Sequence, residues 1–178
     1  MAGGIQSFRK FFNISKIILY FKIRQVMSMY EDYTNQSLSS KEYRELLGTA
    51  IYVFNSNNGF LIENILRADE NNKYDWYELI DKMGGDLKKI VTKTIINESE
   101  KQNKKKLGKD IEEIFSSLVE TRNRIIHSFA ITDPSGVQIL RTKEKKTHTQ
   151  FTITTELLMK FIKDNEKLAL KLHEFRGY

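Results

Sequence analysis

Apolar residues recur every three or four positions along most of this 178-residue chain, and that spacing is typical of amphipathic helices. One such stretch runs from Phe11 to about Tyr33. A second begins at Lys41 and continues to Ala68, and it can kink or split at the polar residues 57–59. Further helices are predicted over Tyr74 to Met83, along the stripe Leu87, Ile90, Val91 and Ile95, from Asp110 to Ile131, and after Thr155. Asp86 and Thr155 are predicted to cap two of these helices by accepting backbone N–H groups.

The helical pattern gives way to an extended one after Ile131. TDPSG is a turn signal, and the segments GVQILRT and HTQFTIT carry the β-branched and apolar residues favoured in strands. The charged sequence KEKK between them suits an exposed loop, so a β-hairpin is predicted at about residues 136–154. The chain is therefore expected to be a single, mainly α domain over residues 1–178. Its architecture would be an up-and-down bundle of four to six helices, with the hairpin inserted before the C-terminal helix.

Composition limits the classes of function. Lys and Arg number 29 against 23 Asp and Glu, and the net charge of +6 favours polyanionic partners such as nucleic acid. The chain has no cysteine, which excludes disulfides and thiolate metal sites. Lys16, Lys22 and Arg24 interrupt the apolar runs near the N-terminus, so we expect neither a signal peptide nor a membrane span there. The expected location is cytoplasmic.

The sequence ETRNRIIHSF, residues 120–129, places a histidine in the predicted helix from Asp110 to Ile131. On a helical wheel the apolar residues of that helix gather opposite His127, while a polar stripe shares its side and Arg122 lies roughly 140° away, at the apolar border. The stripe can face solvent or a second copy of the same helix. The apolar set is Leu107, Ile111, Ile114, Phe115, Leu118, Ile125 and Phe129, and the polar stripe is Ser116, Glu120, Asn123 and His127.

The run from Arg122 to His127 resembles the signature of HEPN-domain ribonucleases, in which an Arg is followed by four to six residues and a His, often with a polar residue directly after the Arg. Arg141 and His148 also satisfy the loose spacing, but they fall in the predicted hairpin and lack helical context. The resemblance implies a helical bundle with the motif on a late helix. It also implies that two protomers pair their motifs into one composite site.

The same resemblance implies metal-independent RNA cleavage by a ribose 2′-OH, and the residue types suit that chemistry. An imidazole exchanges protons near neutral pH, so His127 is a candidate acid or base, and the guanidinium of Arg122 can hold phosphate oxygens. Asn123 is assigned a supporting role, either orienting His127 or binding phosphate. No metal or other cofactor is expected. Arg124 and the basic residues Lys104, Lys105 and Lys106 are candidates for contact with the RNA backbone, although a lysine run is commonly a solvated surface.

Three functions are compatible with these features. The first is a homodimeric endoribonuclease acting as a toxin or phage-defence effector, with an antitoxin or other defence protein as a possible partner. The second is a catalytically inactive helical module that binds a nucleotide, a nucleic acid or a protein. The third is a structural subunit that uses the polar stripe as a protein interface. One family subgroup is modified on a Tyr two residues after the motif His, and Phe129 at that position excludes the same modification here.

Overall fold

The computed structural model describes residues 31–178 of a chain that divides into two units. The first unit covers residues 1–38, and its described part holds a short 3₁₀ helix over Glu31–Tyr33. Most of the helix predicted from Phe11 lies outside the described residues. The second unit, residues 39–178, contains all the elements considered below.

The second unit is mainly helical, with one small antiparallel sheet just before its last helix. This confirms the predicted fold class. The helices are α1 (Lys41–Ala68), α2 (Trp76–Ile80), α3 (Gly84–Val91), a π-helical turn (Thr92–Ile96), α4 (Asn97–Lys101), α5 (Lys105–Ile126) and α6 (Thr155–Arg176). The strands are β1 (Phe129–Thr132), β2 (Gln138–Lys143) and β3 (Gln150–Thr152), in the spatial order β1–β2–β3.

Helix α1 runs without a break through residues 57–59, where the sequence pattern allows a kink or split. The helix begins where the Ser40 hydroxyl accepts a hydrogen bond from the Tyr43 backbone N–H at 3.2 Å. In its middle, the buried amide of Asn57 donates to the backbone carbonyl of Asn165 at 2.7 Å and to its side-chain oxygen at 3.2 Å. Because Asn165 lies on α6, the polar stretch joins two helices of the core rather than interrupting one.

Helix α3 begins three residues earlier than predicted. Met83 occupies the N-cap position, and Asp86 lies in the first turn, where its carboxylate accepts from Lys89 at 2.9 Å instead of capping the backbone. The prediction that Asp86 caps this helix was therefore wrong. The predicted apolar stripe is confirmed, because Leu87, Ile90, Val91 and Ile95 are all buried.

Close packing of α3 against α5 explains the glycine at the start of α3. A Cβ on Gly84 would lie 2.8 Å from both methyl groups of Val119, whereas a Cβ on Gly85 would meet nothing within 4 Å. Valine is branched at Cβ and cannot easily turn its methyl groups away. Gly84 thus sets how closely this part of the chain approaches α5.

We expect Gly84→Ala to lower the free energy of unfolding by about 1–3 kcal/mol through overpacking. Gly85→Ala, one residue further along the same helical turn, should leave it unchanged or raise it by up to about 1 kcal/mol, because alanine is the better helix former and its Cβ meets nothing there. Urea denaturation followed by circular dichroism measures both. Equal effects of the two substitutions would contradict the packing role of Gly84.

The helix that carries the motif ends earlier than predicted. Helix α5 ends at Ile126, and residues Phe129–Thr132 form β1, which pairs with β2 in the register Phe129 to Arg141. Phe129 is consequently half exposed and does not join the core, contrary to the helical-wheel prediction. A short apolar run fits either a helix or a strand, and here the pairing with β2 decides.

The predicted hairpin corresponds to β2 and β3, to which β1 adds a third strand that the sequence pattern did not indicate. The final helix begins at Thr155, and its cap lies one residue earlier than predicted. The hydroxyl of Thr154, not of Thr155, accepts the Leu157 backbone N–H at 3.2 Å. Helix α6 then packs mainly against α1 and α5.

Candidate functional site

The three motif residues lie in one cleft at the C-terminal end of α5. The cleft has a volume of about 990 Å³ and is bounded by α1, by the turn between α2 and α3 together with the start of α3, and by α5. It is lined by Phe54, Asn55, Asn58, residues 80–86, Lys89, Val119, Arg122, Asn123 and His127. Arg122 and His127 therefore share a surface within a single chain, despite their separation on an ideal wheel.

The guanidinium of Arg122 is held by an aromatic ring and an amide. Its central carbon lies 5.9 Å from the centroid of the Phe54 ring, within the range of a cation–π contact. Its Nη1 donates to the side-chain oxygen of Asn123 at 3.1 Å. No other hydrogen bond of this guanidinium joins it to residues 31–178, so most of its five N–H donors are available to a ligand.

Asn123 contacts Arg122 rather than His127 through its side chain. Its amide oxygen accepts the bond from Arg122, and its backbone carbonyl accepts the backbone N–H of His127 at 3.0 Å. Asn123 therefore does not orient the imidazole through a side-chain hydrogen bond, which is one of the two supporting roles predicted for it. The amide instead restricts the position of the guanidinium.

His127 is exposed at the C-cap of α5. Its position away from the apolar core agrees with the helical wheel. Within the described part of the chain, its imidazole forms no hydrogen bond and no ion pair. Both ring nitrogens are thus open to solvent or to a ligand in the cleft.

The predicted polar stripe divides between the cleft and the remaining surface. Asn123 and His127 line the cleft, whereas Ser116 and Glu120 do not. Glu120 is exposed and Ser116 is partly buried. The stripe is therefore not one continuous functional surface.

The cleft carries three cations besides the histidine and only two carboxylates. Lys82, Lys89 and Arg122 are the cations, and Asp81 and Asp86 are the carboxylates. The ammonium of Lys89, 2.9 Å from Asp86, holds the pKa of that carboxyl below its usual range. One carboxylate is thus already paired with a lysine, and the cationic excess favours an anionic ligand.

The other predicted RNA-binding residues lie outside the cleft. Arg124 donates from Nη1 to the backbone carbonyl of Lys143 at 2.9 Å and so connects α5 to β2. The lysine run stands at the opposite end of α5, which at 22 residues is about 33 Å long. There Lys105 pairs with Glu100 at 2.9 Å and Lys106 with Asp110 at 3.0 Å, while Lys104 precedes the helix.

The second Arg/His pair lies in and after β2 rather than in the cleft. Arg141 lies on β2, and the Nδ1 of His148 lies 3.1 Å from the ammonium of Lys143 in the β2–β3 loop. Neither residue lines the cleft.

Asn55, Asn58 and Lys89 line the cleft but were not predicted as site residues. The two asparagines stand three positions apart on α1, so their side chains share one helix face. They belong to the polar stretch NSNNG, in which the sequence pattern indicates only that the helix can kink or split at residues 57–59. Lys89 carried no local signal, because lysines are common on exposed helix surfaces.

Residues 31–178 contain no group of three or more His, Asp or Glu side chains arranged to hold a metal ion. Among the helices of that same part of the chain, none has the length and apolar character needed to cross a membrane.

Comparison with protein-family models, with curated proteins and with solved structures found no match to this chain. The likeness to HEPN ribonucleases therefore rests on the motif residues and on the helix that carries them.

Proposed function

We propose that this protein is a metal-independent endoribonuclease that cleaves RNA by attack of a ribose 2′-OH. The observation that carries the proposal is the convergence of Arg122, Asn123 and His127 in one cationic cleft. The resemblance to the HEPN signature selects RNA cleavage among the reactions that an arginine and a histidine can support.

In this reaction the 2′-oxygen forms a bond to the adjacent phosphorus and the bond to the 5′-oxygen breaks. The products are a 2′,3′-cyclic phosphate and a free 5′-hydroxyl. His127 takes the proton from the 2′-OH or gives one to the departing 5′-oxygen. Arg122 binds the non-bridging phosphate oxygens and stabilises the additional negative charge of the transition state.

A homodimer would complete the site. The attacking and departing oxygens lie on opposite sides of the phosphorus, so one imidazole cannot serve both without moving. A second copy would bring its own His127 to the same phosphate. His127 is exposed, and apolar side chains around the motif are also exposed, with Met83 at 78%, Ile126 at 49% and Phe129 at 47%. Such a surface suits pairing of two chains.

The resemblance extends the proposal to a biological role as a toxin or phage-defence effector with an antitoxin or defence partner. The alternative is a catalytically inactive module that binds a nucleotide, a nucleic acid or a protein. The lack of an orienting bond to the His127 imidazole from residues 31–178 favours this alternative, because catalytic histidines are commonly held by a partner group.

Product chemistry tests the proposal directly. Purified protein incubated with RNA in EDTA should yield fragments whose 3′ ends can be ligated only after the cyclic phosphate is removed. A 2′-deoxy substitution at the cleavage position should block cleavage there, because the attacking hydroxyl is missing. Cleavage that requires a divalent cation, or that leaves 5′-phosphates, would contradict the mechanism, and absence of cleavage would favour the binding module.

A further inference from the structure

The α1 side of the cleft presents two amides that the proposed reaction does not use. Asn55 is exposed and Asn58 is half-buried, and both line the cleft opposite the motif helix. Neither side chain forms a hydrogen bond to any residue of the described chain. Each amide therefore keeps a donor and an acceptor available to a ligand.

The backbone beneath these amides is firmly held. Asn57, which lies between them, is buried and donates two hydrogen bonds to Asn165 on α6. Phe54, which precedes them, packs its ring on Phe161 with the centroids 5.9 Å apart. These contacts fix the rotation of α1, so Asn55 and Asn58 have a fixed place relative to Arg122, whose guanidinium lies over the same Phe54 ring.

The turn between α2 and α3 contributes two exposed apolar side chains to the cleft besides its charged residues. Ile80 and Met83 line the cleft and are exposed at 43% and 78%. An unpaired nucleotide base can place its face on such side chains while its edge meets amides. Amides, two apolar side chains and a guanidinium thus line a single cleft, and these groups suit the base and phosphate of a nucleotide.

We propose that Asn55 and Asn58 recognise an unpaired adenine beside the phosphate held by Arg122, which makes single-stranded, adenine-containing RNA the substrate class. The donor and acceptor of an Asn amide complement a neighbouring acceptor and donor on a base edge, and adenine presents such a pair on both its Watson–Crick edge and its N6/N7 edge, so it offers a partner to each of two amides. The Watson–Crick edge is free only on an unpaired base, so the recognised adenine lies in a single strand. This inference rests on the proposed function, but base recognition is measurable without cleavage.

The test measures binding of labelled oligouridines in which one position is A, G, C or U and in which every 2′-OH is replaced by hydrogen to prevent cleavage. Because the rest of the strand is uniform, the strand can slide until its single adenine lies in the site. Fluorescence anisotropy gives the dissociation constant for the wild type, for the double variant Asn55→Ala/Asn58→Ala, and for Asn71→Ala. Asn71 is an exposed asparagine outside the cleft and serves as the matched control.

We expect the wild type to bind the adenine-containing strand about tenfold more tightly than the all-uridine strand. The double variant should lose this preference while keeping its affinity for oligouridine, and Asn71→Ala should keep both. Both substitutions place alanine, a better helix former than asparagine, in α1, so the double variant should remain folded. Its thermal unfolding curve checks this directly.

The outcomes separate the two proposals. Adenine preference that depends on Asn55 and Asn58, without any cleavage of ordinary RNA, would support base recognition and overturn the nuclease. Cleavage of ordinary RNA without base preference would overturn base recognition and leave the nuclease standing. Preference that persists in the double variant, or absence of any binding, would also overturn the role of these asparagines.

Discussion

Replacing His127 with alanine is expected to lower the rate of RNA cleavage by about 10²- to 10⁴-fold, the range typical of losing a general acid or base. The proposed reaction must move a proton from the 2′-oxygen and another to the 5′-oxygen. Within the part of the chain that the structure describes, His127 is the only histidine that lines the cleft. The measurement is the initial rate of cleavage of a fluorescent RNA in EDTA.

The matched control is His148→Asn. This histidine belongs to the other Arg/His pair of the sequence and lies in the β2–β3 loop with a φ of +59°. Asparagine tolerates that backbone conformation, so the loop should keep its structure. Cleavage by this variant should equal that of the wild type. Loss of activity in both variants, or in neither, would contradict the role of His127 as the general acid or base.

Replacing Phe54 with alanine is expected to lower the free energy of unfolding by about 3–5 kcal/mol. The ring is 6% exposed and stacks on Phe161, so its removal leaves a cavity between α1 and α6. Chemical denaturation followed by circular dichroism measures the loss. A change below about 1 kcal/mol would show that the surrounding helices close over the space.

Two leucine substitutions distinguish the contact of the Phe54 ring with Arg122 from the packing of Phe54 in the core. Phe54→Leu keeps most of the apolar volume but removes the ring that the guanidinium contacts. Phe161→Leu changes the other ring of the same stack, which does not line the cleft. We expect similar losses of stability but slower RNA cleavage for Phe54→Leu alone. Equal rates of cleavage by both variants would show that the Phe54 ring does not position Arg122.

The helices were predictable because each buries one apolar face, and burial of that kind leaves a period of three to four residues in the sequence. The stripe from Leu87 to Ile95 and the core positions from Leu107 to Ile125 are examples, and nearly all of them are buried. The ends of the helices were less predictable. Asp86 and Thr155 were assigned as caps on residue type, although Met83 and Thr154 occupy those positions.

The candidate site was predictable only on the motif helix. The order Arg122, Asn123 and His127 is a local signal that can be read along one element. Asn55 and Asn58 lie more than sixty positions earlier, and their approach to the motif depends on how α1 packs beside α5. No local pattern reports that packing, so from the sequence the stretch at residues 57–59 indicates only a point where the helix can kink or split.

The sequence by itself determined the mainly helical class, the small hairpin before the last helix, and the motif, because helical period, turn residues and motif spacing are properties of neighbouring positions. Only the tertiary structure decided that α5 stops at Ile126, that Phe129 enters a strand, and that Arg122 and His127 share one cleft with the amides of α1. Those outcomes depend on pairing with β2 and on the contact of Arg122 with Phe54, which bring together residues distant in the chain.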